Sequence, residues 1–83
     1  MSGKRKIERV QTGVRIEKRL LKVMKGLAEY LEMSLGDVIE GIVLHSIDGK
    51  APFSERTIKK IHELKKVYDL DLNWKDSHKL IEK

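Results

Sequence analysis

Polar and apolar residues alternate from Arg9 to Ile16. Val10, Thr12, Val14 and Ile16 fall on one side of an extended chain, and Arg9, Gln11, Gly13 and Arg15 on the other, because successive side chains of a strand point to opposite faces. The pattern predicts one β-strand over residues 9–16, with an apolar face able to pack and a polar face bearing two guanidiniums and an amide. A single strand of this length needs a partner. No second run of similar pattern follows, so the simplest partner is the same strand of a second copy. An ordinary edge strand with its polar side in water fits the same alternation.

From Glu17 the period lengthens to about 3.6. Leu20, Met24, Leu27 and Leu31, with Leu21 and Ala28 beside them, make one apolar stripe on a helix over residues 17–31. Gly26 weakens that helix relative to alanine, and close packing is the natural reason for it. Ser34 is a good N-cap, with Asp37 three positions on as an approximate capping box. The second helix runs from Leu35 to about Ser46, and Leu35, Val38, Ile39, Ile42 and Val43 give it a face wide enough to meet both its own chain and a second subunit. The run from Asp48 through Gly49 to Pro52 ends it. Ser54 caps a third helix over about 54–68, with Ile58, Ile61, Leu64 and Val67 as its stripe. A short fourth helix is expected over 74–82, turning Trp74, Leu80 and Ile81 inward.

At 83 residues the chain makes one small domain whose core is marginal alone. It has no cysteine, so neither a disulfide nor a thiolate metal site supports it. Dimerisation is the remaining support. Charged residues make up 37% of the chain, with a formal excess of +5. That excess is concentrated early. Residues 1–25 carry nine basic side chains against Glu8 and Glu17, whereas residues 26–50 carry Lys50 against five acids. A positive end on a mixed body is the footprint of a polyanion binder, and a solubilising tail accounts for it equally well. No apolar run reaches membrane-spanning length and no signal core follows the first residues, so a cytoplasmic, nucleoid-associated protein is expected.

Residues 1–8 read as a flexible basic arm in which Lys4, Arg5 and Lys6 meet phosphates without sequence preference. The order of strand, helix, short turn and Ser-capped helix over residues 9–47 resembles the ribbon–helix–helix family of DNA-binding proteins. The resemblance implies a mainly α fold with one β-strand. In it, two intertwined chains pair their strands into an antiparallel two-stranded ribbon that enters the major groove. Residues 48–83, outside the resemblance, are expected to form a C-terminal helical extension. It also implies that Gln11, Gly13 and Arg15 face the bases. Arginine can bond guanine O6 and N7 together, and glutamine adenine N6 and N7; Gly13 has no side chain to read with. Arg9 joins the phosphate contacts. So does the start of the second helix, Ser34-Leu35-Gly36, whose free N–H groups favour an anion. An ordinary cap explains Ser34 as well, and Glu32 stands where the family often has glycine. The function implied is sequence-specific binding of double-stranded DNA by a homodimer, as a transcriptional regulator and most simply a repressor.

Other chemistries find less support. His45, His62 and His78 are scattered, and no nucleophile–base pair, phosphate-cradling loop or metal-ligand spacing occurs. No enzyme, cofactor or metal is expected. Two other functions remain open. One is an antitoxin whose residues 51–83 bind a toxin. The other is a dimeric adaptor whose basic face binds an acidic protein instead of nucleic acid.

Overall fold

Each helix begins on a side chain that accepts from the backbone of its own first turn. Glu17 takes the Leu20 N–H at 2.8 Å and opens α1 (Lys18–Leu31). Ser34 takes the Asp37 N–H at 3.1 Å and opens α2 (Leu35–Ile47), and Ser54 takes that of Thr57 at 3.2 Å and opens α3 (Glu55–Val67). These elements belong to a computed structural model that describes residues 3–83. Each helix also ends alike. A residue in the left-handed region follows it, and the next N–H reaches back five positions, from Met33 to Ala28, Lys50 to His45 and Leu70 to Lys65 (2.9, 2.8 and 2.8 Å). Gly49 takes the left-handed conformation without a steric cost, at φ 70°, while Glu32 and Asp69 take it at φ 56° and 54°, where a Cβ costs about 1–2 kcal/mol. Glu32 thus makes the turn that glycine more often makes.

The helix α1 is central, packing on α2 and α3. Leu27, Ala28 and Val38 are buried together, and Leu31, Ile42, Phe53, Ile61 and Leu64 close around them. The stripe on α1 is turned from its expected position: Val23 is buried and Leu20 is exposed. Two helices embrace α1 from different sides, which widens its buried arc past the single stripe that a four-residue step picks out. Leu70, just beyond α3, is buried too, and Lys60 of α3 lies 5.1 Å from the ring centre of Tyr30 on α1.

Gly26 sits at the closest approach of α1 and α3. A Cβ there would lie 3.0 Å from Leu64 Cδ2 and 3.5 Å from its Cδ1. The contact is with the mobile end of a side chain, so alanine fits after a small shift and its helix preference offsets the crowding. We expect Gly26→Ala to stay within about 1 kcal/mol of the parent and Gly26→Val to lose about 1–3 kcal/mol through overpacking. Urea denaturation of both measures this; equal stability of all three chains would mean that α1 and α3 stand further apart.

The expected fold is corrected at its first element. No residue from 3 to 83 is in a strand, and the described chain is mainly α, so a ribbon–helix–helix built on a β-strand is not what it forms. Residues 9–16 are non-helical and exposed, and no backbone hydrogen bond joins them to another described segment. The physical reason is that a strand exists only against a ladder partner, and no described segment of this chain offers one. The fourth helix is corrected as well. Asn73 and Asp76 form a capping box around a single 3₁₀ turn, Trp74–Asp76, and residues 77–83 continue without helix. Trp74, Leu80 and Ile81 are exposed, not inward.

Candidate nucleic-acid interface

The basic segment lies along the outside of the helical body. Residues 3–16 are exposed throughout, including Arg5, Lys6, Gln11 and Gly13; Met1 and Ser2 of the expected arm lie outside the described residues. Lys18, Lys22 and Lys25 continue the exposed positive charge onto α1. The polar face expected from the alternation is therefore accessible, but so is the apolar one. Val10 and Val14 are 82% and 78% exposed.

Two arginines of this segment, Arg9 and Arg15, are held by acids far away in sequence. Arg9 turns onto α2: its Nε and Nη2 donate to the two carboxylate oxygens of Glu40 at 2.8 and 2.9 Å, and Nη2 lies 3.5 Å from Asp37 Oδ1. The hydrogen bond to Glu40 raises the Arg9 pKa above its ordinary value and lowers that of Glu40 in return. Arg15 pairs with Glu82, its Nε donating to Oε1 at 3.3 Å. They meet at a trough of about 1310 Å³ between residues 14–22 on one wall and Val67–Asp69 with Leu80–Lys83 on the other. Arg19 secures the beginning of α1, with Nε donating to Glu17 at 3.1 Å and Nη1 to the Asp69 carbonyl at 2.9 Å and Asp71 at 3.1 Å. The Leu20 N–H, followed by Arg19, holds the Glu17 carboxyl below its ordinary range.

The start of α2 lies near the Arg9 end of the segment. Ser34 Oγ is engaged as the cap, and the Leu35 and Gly36 amides belong to the first turn, which has no intrahelical acceptor for them. Asp37 stands in the same turn and shares Arg9, so the positive end of the helix is partly answered by the chain's own carboxylate. Gln11, Gly13 and Arg15 span the distance between this point and the N-terminus of α1. The partners of Arg9 and Arg15, namely Glu40, Asp37 and Glu82, are the residues that sequence reasoning missed. The one available signal was two acids at 37 and 40 in an otherwise apolar helix.

A second exposed surface lies on α2. Val43, Leu44 and Ile47 stand three, four and seven residues after Glu40, so all four share one side of the helix, and these three apolar side chains are exposed. Among the described residues no group of three or more His, Cys, Asp or Glu side chains could hold a metal ion. His45 Nδ1 bonds the Gly41 carbonyl at 2.7 Å. No described helix is long and apolar enough to cross a membrane. Comparison of the chain with protein families, curated proteins and solved structures finds no match.

Proposed function

We propose that the chain binds double-stranded DNA as a homodimer and regulates transcription by occupying its site. The observation that carries the reading is a non-helical, exposed basic segment that presents Gln11 and Arg15 to solvent beside a helical body. Arg5 and Lys6, with Lys4 beside them, supply phosphate contacts. Gln11 and Arg15 supply the hydrogen-bond patterns of adenine and guanine edges. Arg15 must leave Glu82 to do so, exchanging one exposed ion pair for a charge-assisted bond to a base. The second copy covers the outer side of α2. Five buried apolar residues among the described positions make a small core, and chains of this size gain stability by association. A two-fold dimer sets the same patch of both copies face to face, and it doubles the number of basic segments on the duplex.

Titration of random and selected duplexes over a range of salt concentration tests this. The logarithm of affinity should fall linearly with the logarithm of salt, with a slope of roughly 0.9 per phosphate neutralised. Arg15→Ala should remove about 1–3 kcal/mol of sequence discrimination, and Lys4→Ala with Lys6→Ala should weaken all duplexes alike and flatten the slope. Absence of duplex binding at physiological salt would refute the proposal and leave the acidic-protein adaptor standing.

A further inference from the structure

We infer that Glu40 is a positioning residue for the reading segment: by gripping Arg9 on α2 it fixes one end of residues 10–16, while the Glu17 cap on α1 fixes the other. This rests on the duplex-binding role proposed above, and it reassigns Arg9 from a phosphate ligand to a strut.

Three observations carry it. First, the contact is a fork, with two guanidinium nitrogens on two carboxylate oxygens at 2.8 and 2.9 Å and Asp37 at 3.5 Å as a second acid. A planar guanidinium held this way is fixed in direction as well as in place. Second, Glu40 stands on a regular helix, and Glu17 is bonded to the Leu20 amide and to Arg19. Both ends of the seven-residue span are thus tied to rigid elements, whereas Arg15 between them is tied to Glu82 in a non-helical stretch whose Leu80 and Ile81 are exposed. Supports on helices hold a site more closely than supports on irregular chain. Third, the span has no backbone hydrogen bonds of its own to another described segment, so its shape depends on what holds its ends. Pinning both ends lowers the entropy lost when Gln11 and Arg15 settle on base edges.

A strut and a phosphate ligand respond oppositely to loss of Glu40. If Arg9 reaches phosphate, Glu40 is a competitor, and its removal tightens binding to every duplex. If Arg9 is a strut, removal of Glu40 loosens the span and lowers the preference for the selected site.

The test compares the full chain with Arg9→Ala, Arg9→Lys, Glu40→Ala, Arg9→Ala combined with Glu40→Ala, and the exchange Arg9→Glu with Glu40→Arg. Arg9 is exposed and Glu40 half-buried, and circular dichroism checks the helices. For each, affinity for a selected and a random duplex is measured against salt, and the NMR backbone order parameters of residues 10–16 are measured without DNA. The strut predicts that Arg9→Ala, Arg9→Lys and Glu40→Ala each lower the selected-to-random ratio about fivefold, and that the double variant is no worse than either single one. It also predicts that the charge-swapped variant recovers the ratio, that the salt slope is unchanged and that the order parameters over 10–16 fall in the single variants. Tightening of all duplexes by Glu40→Ala, or a slope flattened by roughly 0.9 in Arg9→Ala, overturns it. Unchanged backbone order parameters over residues 10–16 in Glu40→Ala overturn it independently of any DNA. A parent chain that binds no duplex overturns the function proposed above together with this role, and is recognised by failing before any variant is compared.

Discussion

Leu27→Ala should lower the unfolding free energy by about 2–5 kcal/mol. Leu27 is 2% exposed and stands where α1 meets both other helices, with Ala28 and Val38 buried beside it and Leu31, Ile42, Phe53, Ile61 and Leu64 packed around them. Truncation removes apolar contact from elements that otherwise touch mainly through this cluster, and helix backbones cannot close the gap without breaking caps that already fix their ends. Small domains have about 5 kcal/mol or a little more in total, so the variant should be substantially unfolded at 37 °C. Val67→Ala on α3 is the contrast. Val67 is 69% exposed, so its loss should move stability by no more than about 0.5 kcal/mol. Urea denaturation of both variants gives the comparison, and similar losses at the two positions would contradict the packing described.

The helices were legible because their ends carry local chemistry. Ser34 and Ser54 have side chains that reach an amide three residues on, and Gly49 has the freedom its turn requires; each signal acts within a few residues and needs no tertiary information. Val23 and Leu70 were not legible as core. Which arc of α1 is buried depends on where α2 and α3 sit, and Leu70 becomes buried only after Asp69 turns the chain back toward Lys65. The alternation at 9–16 was real, but it describes side-chain faces and leaves the backbone's hydrogen-bond partner unspecified. Among the described residues no partner strand is present, and the segment stays without secondary structure. Trp74, Leu80 and Ile81 resembled an inward stripe by spacing alone. The chain leaves the 3₁₀ turn at Ser77 and takes φ 67° at His78, and the residues beyond stay non-helical with Leu80 and Ile81 exposed.

The candidate site divides along the same line. That Arg5, Lys6 and Gln11 are exposed follows from their type. That Arg9 is bound to an acid 31 residues away and Arg15 to one 67 residues away follows only from how the helices stack. Charge counting placed the positive excess correctly at residues 1–25. It could not show that Arg9, Arg15 and Arg19 among those charges already have intramolecular carboxylate partners, which any polyanion must outcompete. The available charge for phosphate is therefore smaller than the composition suggests, and the salt slope measured for one copy should be correspondingly shallow.

That shallow slope is why association matters to the proposed function, and it gives the last prediction. The chain should sediment at about twice its 9.6 kDa mass, and Val43→Lys combined with Ile47→Lys should return it to one copy. Both side chains are exposed, Ile47 at 71%, so two lysines are tolerated by the isolated chain. In a self-complementary interface each substitution is met twice, and a central apolar anchor replaced by a charge costs about 2 kcal/mol or more, so dimer affinity should fall by at least about a hundredfold. Duplex binding must fall with it, because one basic segment neutralises half the phosphates that two do. The salt slope of the double variant should therefore be about half that of the parent. Equilibrium sedimentation and the duplex titration read these two effects separately. A parent chain that stays at 9.6 kDa at high concentration, or a slope unchanged by loss of the dimer, would separate the α2 face from nucleic-acid binding and leave the basic segment to act alone.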